Sequence, residues 1–97
     1  MKAIFIAYNQ AYNQDIVELL ESFGQRGYTV WEEIGGRGSS TGAPHLGSHA
    51  WPTQNHALLS VLDDSLAAPV MDALRRTDAA SPDLGLRAWV IPVEDAL

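Results

Sequence analysis

Four short segments of the 97-residue chain are rich in β-branched, aromatic and aliphatic residues, and two longer ones are apolar at every third or fourth position. "KAIFIAY" (Lys2–Tyr8) is β-branched and aromatic and reads as a strand with apolar side chains on both faces. Ile16, Leu19, Leu20 and Phe23 then recur at i, i+3, i+4 and i+7, which is one face of a helix. Asn13 suits its N-cap, Asp15 its first turn, and Gly24 or Gly27 its end. "YTVWEEI" (Tyr28–Ile34) predicts a second strand and "HALLSVLDD" (His56–Asp64) a third. Leu66, Val70, Ala73, Leu74 and Thr77 predict a second helix, capped by Asp64 or Ser65. Pro69 falls about one turn inside it, near where its missing N–H donor does least harm. "LRAWVIPVEDAL" is a last strand with Pro92 near its end, as an edge position tolerates.

The order is βαββαβ in a single domain, residues 1–97. Right-handed crossovers make it an α+β, ferredoxin-like fold: a four-stranded antiparallel sheet with two helices on one face. The first and third strands, the most continuously apolar, belong in the centre. Two helices cover only one side, yet Ala3, Phe5 and Ala7 oppose Ile4 and Ile6, and Trp89 and Ile91 oppose Ala88 and Val90. A sheet with one wet face alternates apolar with polar residues, and this one does not. The chain has no element left to cover the second face, so the pattern predicts self-association.

Composition narrows the class. The chain is 46% hydrophobic and 19% charged, as in folded soluble proteins. Twelve acidic residues against six basic ones, none in a dense run, argue against nucleic acid or an anionic membrane as partner. There is no cysteine, hence no disulfide, thiolate metal site or thiol catalysis. No run approaches the length of a membrane span and the N-terminus does not read as a signal peptide, so a cytoplasmic location is expected.

Between the second and third strands, Gly36–Asn55 is too long for a hairpin turn; this loop and the strand residue after it hold all three histidines, His45, His49 and His56. Neutral imidazoles suit zinc, nickel, cobalt or copper, and Glu32 or Glu33 at the other base of the loop can add carboxylate oxygens. The set His45, His49, His56 and Glu33 is therefore a candidate metal site. "GGRGSSTG" (Gly35–Gly42) offers backbone N–H groups, hydroxyls and Arg37 for an anion. It is no Walker A motif, lacking the lysine and a following helix. Trp51 fits packing onto the body better than anchoring a partner. No nucleophile elbow or HExxH occurs, and the chain reads as a non-enzyme.

"RGYTVWEEIGGRG", the long loop after it and the ending "LRAWVIPVEDAL", set in a βαββαβ order, resemble the PII signalling superfamily over nearly the whole chain. The resemblance implies a homotrimer with sheets packed about a central axis, which would bury the unexplained apolar face. It implies a small effector, a nucleotide among the candidates, bound in clefts between subunits. It also implies that Gly36–Asn55 is a T-loop, shortened here, that contacts a protein target. Gly35, Arg37 and Gly38 correspond to the cleft glycines and their neighbour, and Arg87 falls where the family places a phosphate-binding lysine. Leu84 and Leu86 stand where glycines would approach a phosphate. The basic residues that the family places after its last strand have no counterpart before Leu97.

Overall fold

The computed structural model describes residues 1–36, 54–82 and 85–97. Its elements are β1 (Lys2–Asn9), α1 (Asn13–Ser22), β2 (Thr29–Ile34), β3 (Asn55–Leu62), α2 (Asp64–Ala80) and β4 (Arg87–Pro92), with a 3₁₀ turn, Gln10–Tyr12, before α1. The strands form one antiparallel sheet in the order β2-β3-β1-β4, with the two most apolar strands central, as the sequence predicts. This is the ferredoxin-like α+β arrangement. Among the described residues no helix is long and apolar enough to cross a membrane.

One face of the sheet makes the core. Ile4, Ile6 and Tyr8 of β1 and Leu58 and Leu62 of β3 meet Ile16 and Leu20 of α1 and Val70 and Leu74 of α2, all buried. The register puts Ile6 opposite Leu58 on one side and Ala88 on the other, so a single layer of side chains runs across three strands. Burying each large aliphatic group here is worth roughly 1.5–3 kcal/mol. Leu19, Phe23 and Leu66 are only half-buried at the margins of this layer.

The helix starts differ from the expected caps. Asn13 is the first residue of α1 rather than its cap. Asn9 instead caps the 3₁₀ turn, its Oδ1 accepting from the Ala11 N–H at 2.9 Å, while Asn13 Oδ1 accepts from the Tyr8 hydroxyl at 2.6 Å. At α2 the cap position belongs to Asp63, without a side-chain bond, because the helix already begins at Asp64. The Asp64 carboxylate takes the Met1 ammonium at 2.9 Å, which holds its carboxyl below the usual range. Pro69 is the sixth residue of α2 and exposed. Gly24, at φ 77°, supplies the left-handed turn after α1.

A polar knot interrupts the buried face of β3. Ser60, 1% exposed, donates to the Gly27 carbonyl at 2.5 Å and accepts from Gln25 Nε2 at 2.8 Å. Gln25 Nε2 also reaches the carbonyls of Val61 (3.0 Å) and Gly27 (3.1 Å). The connection from α1 to β2 is thereby tied to the centre of the sheet.

Among the described residues no helix packs on the opposite face. Trp31, Phe5 and Trp89, from three strands, form a row across it, with centroids 6.0 Å apart for Trp31–Phe5 and 5.9 Å for Phe5–Trp89. Val61 and Ile91 extend the patch, and Trp89 is 51% and Ile91 45% exposed within the protomer.

Candidate functional site

The long loop leaves and rejoins the sheet at a built base. Pairing of β2 with β3 slips between Trp31 and Ile34, and Glu33 sits at φ 55°, a left-handed conformation seldom held by a non-glycine residue. The Glu33 carbonyl accepts from Gln54 Nε2 at 3.4 Å, and Ile34 pairs with Asn55. On the other side the Gln10 N–H donates to the Gln54 carbonyl at 3.0 Å. Glu32 and Glu33 are both exposed. At Gly36 a Cβ would lie 2.8 Å from Asn55 Nδ2, so glycine lets the two ends of the loop approach each other.

Beside this base lies a cleft of about 200 Å³, at the end of the helix-free face. Ile34, Gly35 and Gly36 line it from the β2 side, Asn55 and Ala7 from the central strands, and Gly85, Arg87 and Trp89 from the β4 side. Gly85 stands at φ 71°, turning the chain into β4 as only glycine does readily. Arg87 is half-buried, and its Nη1 donates to the Leu86 carbonyl at 2.6 Å. Among the described residues no carboxylate pairs with Arg87. A guanidinium with no carboxylate partner among the described residues, beside glycine backbones, is an arrangement that accepts an anion.

The structure thus brings together Gly35 and Arg87, two of the four expected ligand-binding residues, from segments about fifty positions apart in the chain. Arg37 and Gly38, like Leu84, lie outside the described residues. Leu86, which stands where the family places a glycine, packs its side chain against the hydrophobic core.

Of the candidate metal ligands, His45 and His49, together with Trp51, lie outside the described residues. His56 lies opposite Tyr8 in the β1–β3 register, their ring centroids 6.0 Å apart. Its Nδ1 is buried with no hydrogen-bond partner among the described residues. Glu33 is exposed on the bulge, and among the described residues no three His, Asp or Glu side chains gather around one point. Sequence reasoning missed Tyr8 here. Its ring is buried and its phenol pKa is pushed up to about 12, first by burial and then by Tyr28 and Glu32. The only signal in the sequence was its place at the end of an apolar strand, where a buried hydroxyl needs a partner.

No curated protein sequence is significantly similar to this chain. Among solved structures it resembles CPII, a nitrogen regulatory PII-like protein from Thiomonas intermedia K12, bound to ADP, AMP and bicarbonate. The TM-score is 0.75 at 19% identity, over 92% of this chain and 81% of that one. A 2.3 Å structure of CPII with the same ligands matches at TM-score 0.76 and 16% identity, over 98% of this chain and 93% of that one. A PII-like signaling protein from Thermus thermophilus matches at 0.65 and 22% identity, over 92% of this chain and 82% of that one. At such identities these likenesses establish the fold. The family model for nitrogen regulatory protein P-II matches residues 1–97. Matched along its whole length, the chain belongs to the nitrogen regulatory protein P-II family.

Proposed function

We propose that this protein is a non-enzymatic, cytoplasmic PII-like regulator, a homotrimer that binds an adenine nucleotide in clefts between its subunits. The observation that carries the reading is the cleft at the loop base, where Gly35, Gly36 and Gly85 surround an Arg87 that no carboxylate neutralises among the described residues. The phosphates would lie against these glycine backbones and Arg87, with Arg37 and Gly38 following directly on the loop. The aromatic row Trp31–Phe5–Trp89 supports trimerisation through the helix-free face, since large exposed apolar patches mark interaction surfaces. Trp89 belongs both to that row and to the cleft lining, so a neighbouring subunit packed on the row would also wall the cleft. Nucleotide binding would bias the Gly36–Asn55 loop between two states with different affinities for a protein target. That the related CPII was solved with ADP and AMP favours this ligand class. Sedimentation equilibrium, and calorimetry with ADP, AMP and bicarbonate, test the two halves of the reading. A protomer that stays monomeric, or that gives no binding heat, overturns the corresponding half.

A second reading is a trimer that binds zinc, nickel, cobalt or copper through His45, His49, His56 and Glu33. Its support is the buried Nδ1 of His56, without a hydrogen-bond partner among the described residues, a polar atom that a ligand would satisfy. Metal titration of the wild type and of histidine variants tests it.

A further inference from the structure

The β2–β3 ladder carries one residue too many on the β2 side. Trp31 stands opposite Ala57, so regular antiparallel pairing would set Glu33 opposite Asn55. Ile34 stands there instead. The extra residue is absorbed at Glu33, whose φ of 55° is the left-handed conformation that glycine usually supplies in such a bulge. For a glutamate that conformation is costly, and it persists only where the surroundings hold it. Here the Gln54 side chain donates to the Glu33 carbonyl, and Gln54 is itself held by the Gln10 N–H. The consequence lies in the cleft. Opposed residues of a ladder share a face, and Asn55 lines the loop-base cleft. The bulge therefore gives Ile34 the place in the cleft wall that regular pairing would give to Glu33, and brings Gly35 and Gly36 in behind it.

We propose that the bulge at Glu33 is a selectivity device of the effector cleft. It keeps this residue's own carboxylate out of the cleft wall and sets an apolar side chain and glycine backbones there, so that an anion can approach Arg87. The inference rests on the proposed nucleotide site. With regular pairing, a carboxylate would share the cleft with Arg87, where it would repel a phosphate and neutralise the guanidinium. The same one-residue slip would carry Gly35 and Gly36 out of their places in the wall. Glu33 thus acts through its backbone, as a positioning residue, and its carboxylate serves the site by standing elsewhere.

The test is calorimetry with ADP on the full chain, in a chelating buffer so that metal binding plays no part. Glu33→Gly, Glu33→Asn, Glu33→Gln and Glu33→Val remove the charge alike but accept a left-handed backbone progressively less readily. ADP affinity is expected to follow that order, with Glu33→Val weaker than Glu33→Gln by roughly fivefold or more. In ligand-free Glu33→Val, cross-strand NOEs are expected to connect residue 33 with Asn55, where the wild type connects Ile34 with Asn55. Ile34→Glu places a carboxylate on the wall and leaves the bulge residue in place. It is expected to weaken ADP binding by roughly tenfold or more, and Ile34→Gln by much less. A merely structural bulge predicts that Glu33→Val melts lower yet binds ADP as Glu33→Gln does. That result, or an Ile34→Glu protein that binds ADP as well as Ile34→Gln, overturns this inference alone if binding still depends on Arg87. A wild type that does not bind ADP, or an Arg87→Ala variant that binds as well as wild type, overturns the nucleotide reading and this inference with it.

Discussion

Trp89 stands opposite Phe5 across the β1–β4 ladder, ring centroids 5.9 Å apart, on the side of the sheet that carries no helix. A tryptophan half-exposed beside a phenylalanine is expensive to leave in water; covering such a side chain is worth roughly 1.5–3 kcal/mol. The wild type is therefore expected to sediment at three times the protomer mass. Trp89→Glu and Ile91→Glu, both on exposed positions of this face, are expected to give folded monomers. Ile91 does not line the loop-base cleft, so its variant separates the two roles of the face. If Ile91→Glu monomerises the protein and ADP binding is lost with it, the cleft is completed by a neighbour. Binding retained by that monomer would place the whole site within one subunit.

Arg87→Ala is expected to weaken ADP binding by about 10- to 100-fold, the value of one charge-assisted contact of roughly 1.5–3 kcal/mol. Gly36→Ala acts differently. Its methyl would meet Asn55 Nδ2 at 2.8 Å, and Asn55 is buried, so the loop base must open for the side chain to give way. A cost of about 1 kcal/mol in stability is expected, together with weaker ADP binding. Thermal melts with and without ADP read both effects, because a ligand that binds only the native state raises the midpoint. A Gly36→Ala protein with wild-type melting in both conditions would show that the close approach is unimportant.

Much of this architecture was legible in the sequence because it rests on periodicity. Ile4 and Ile6 against Phe5, or Ile16 against Leu20, declare their faces through spacing alone, and the excess of apolar residues on β1 and β4 betrayed a second apolar surface. The site was legible only in part. Gly35 stands out as part of a glycine-rich segment and Arg87 through family likeness, but nothing local in the chain shows that the bulge at Glu33 and the turn at Gly85 deliver them to one cleft. The caps were misplaced for a related reason. Asn13 has the right chemistry for a cap, but the buried Tyr8 hydroxyl claims its oxygen, a tertiary demand that local propensity does not contain.

Ser60 tests how a polar residue is accommodated at the centre of the buried face. Its hydroxyl sits between Gln25 Nε2 and the Gly27 carbonyl, but those two also bond each other at 3.1 Å. Ser60→Ala therefore strands no buried group and is expected to cost only about 1 kcal/mol. Gln25→Ala, which also removes the donor to the Val61 carbonyl, is expected to cost as much or more. The double variant should lose less than the sum, because both residues belong to one network. Urea unfolding of the four proteins measures the coupling, and strict additivity would mean that Ser60 and Gln25 contribute independently.

For the metal reading, His49→Ala and His56→Ala are each expected to lower zinc affinity at least tenfold, measured by competition with a coloured chelator. Glu33→Gln should have a smaller effect in the same direction, since one carboxylate oxygen is a weaker partner for zinc than imidazole. Zinc affinity that is unaffected by both histidine substitutions removes this reading and leaves His56 as a residue packed beside Tyr8.

Tyr8 gives the fold an alkaline limit. Its phenol is pushed from the ordinary 10 up to about 12, by burial first and then by Tyr28 and Glu32. The folded state therefore holds this proton where the unfolded chain releases it. Below about pH 10 both states are protonated and the contribution to stability is fully present. Between about 10 and 12 the unfolded state binds fewer protons, so stability falls by roughly 1.4 kcal/mol per pH unit, about 2–3 kcal/mol in all. Tyr8→Phe removes the titrating group and is expected to flatten this part of the curve. It forfeits the hydrogen bond to Asn13 Oδ1, at a cost of about 1 kcal/mol near neutrality. Denaturant midpoints taken from pH 8 to pH 12 for both proteins should therefore converge and cross as the pH rises. Parallel curves would mean that the Tyr8 phenol ionises as easily in the folded protein as in the unfolded chain.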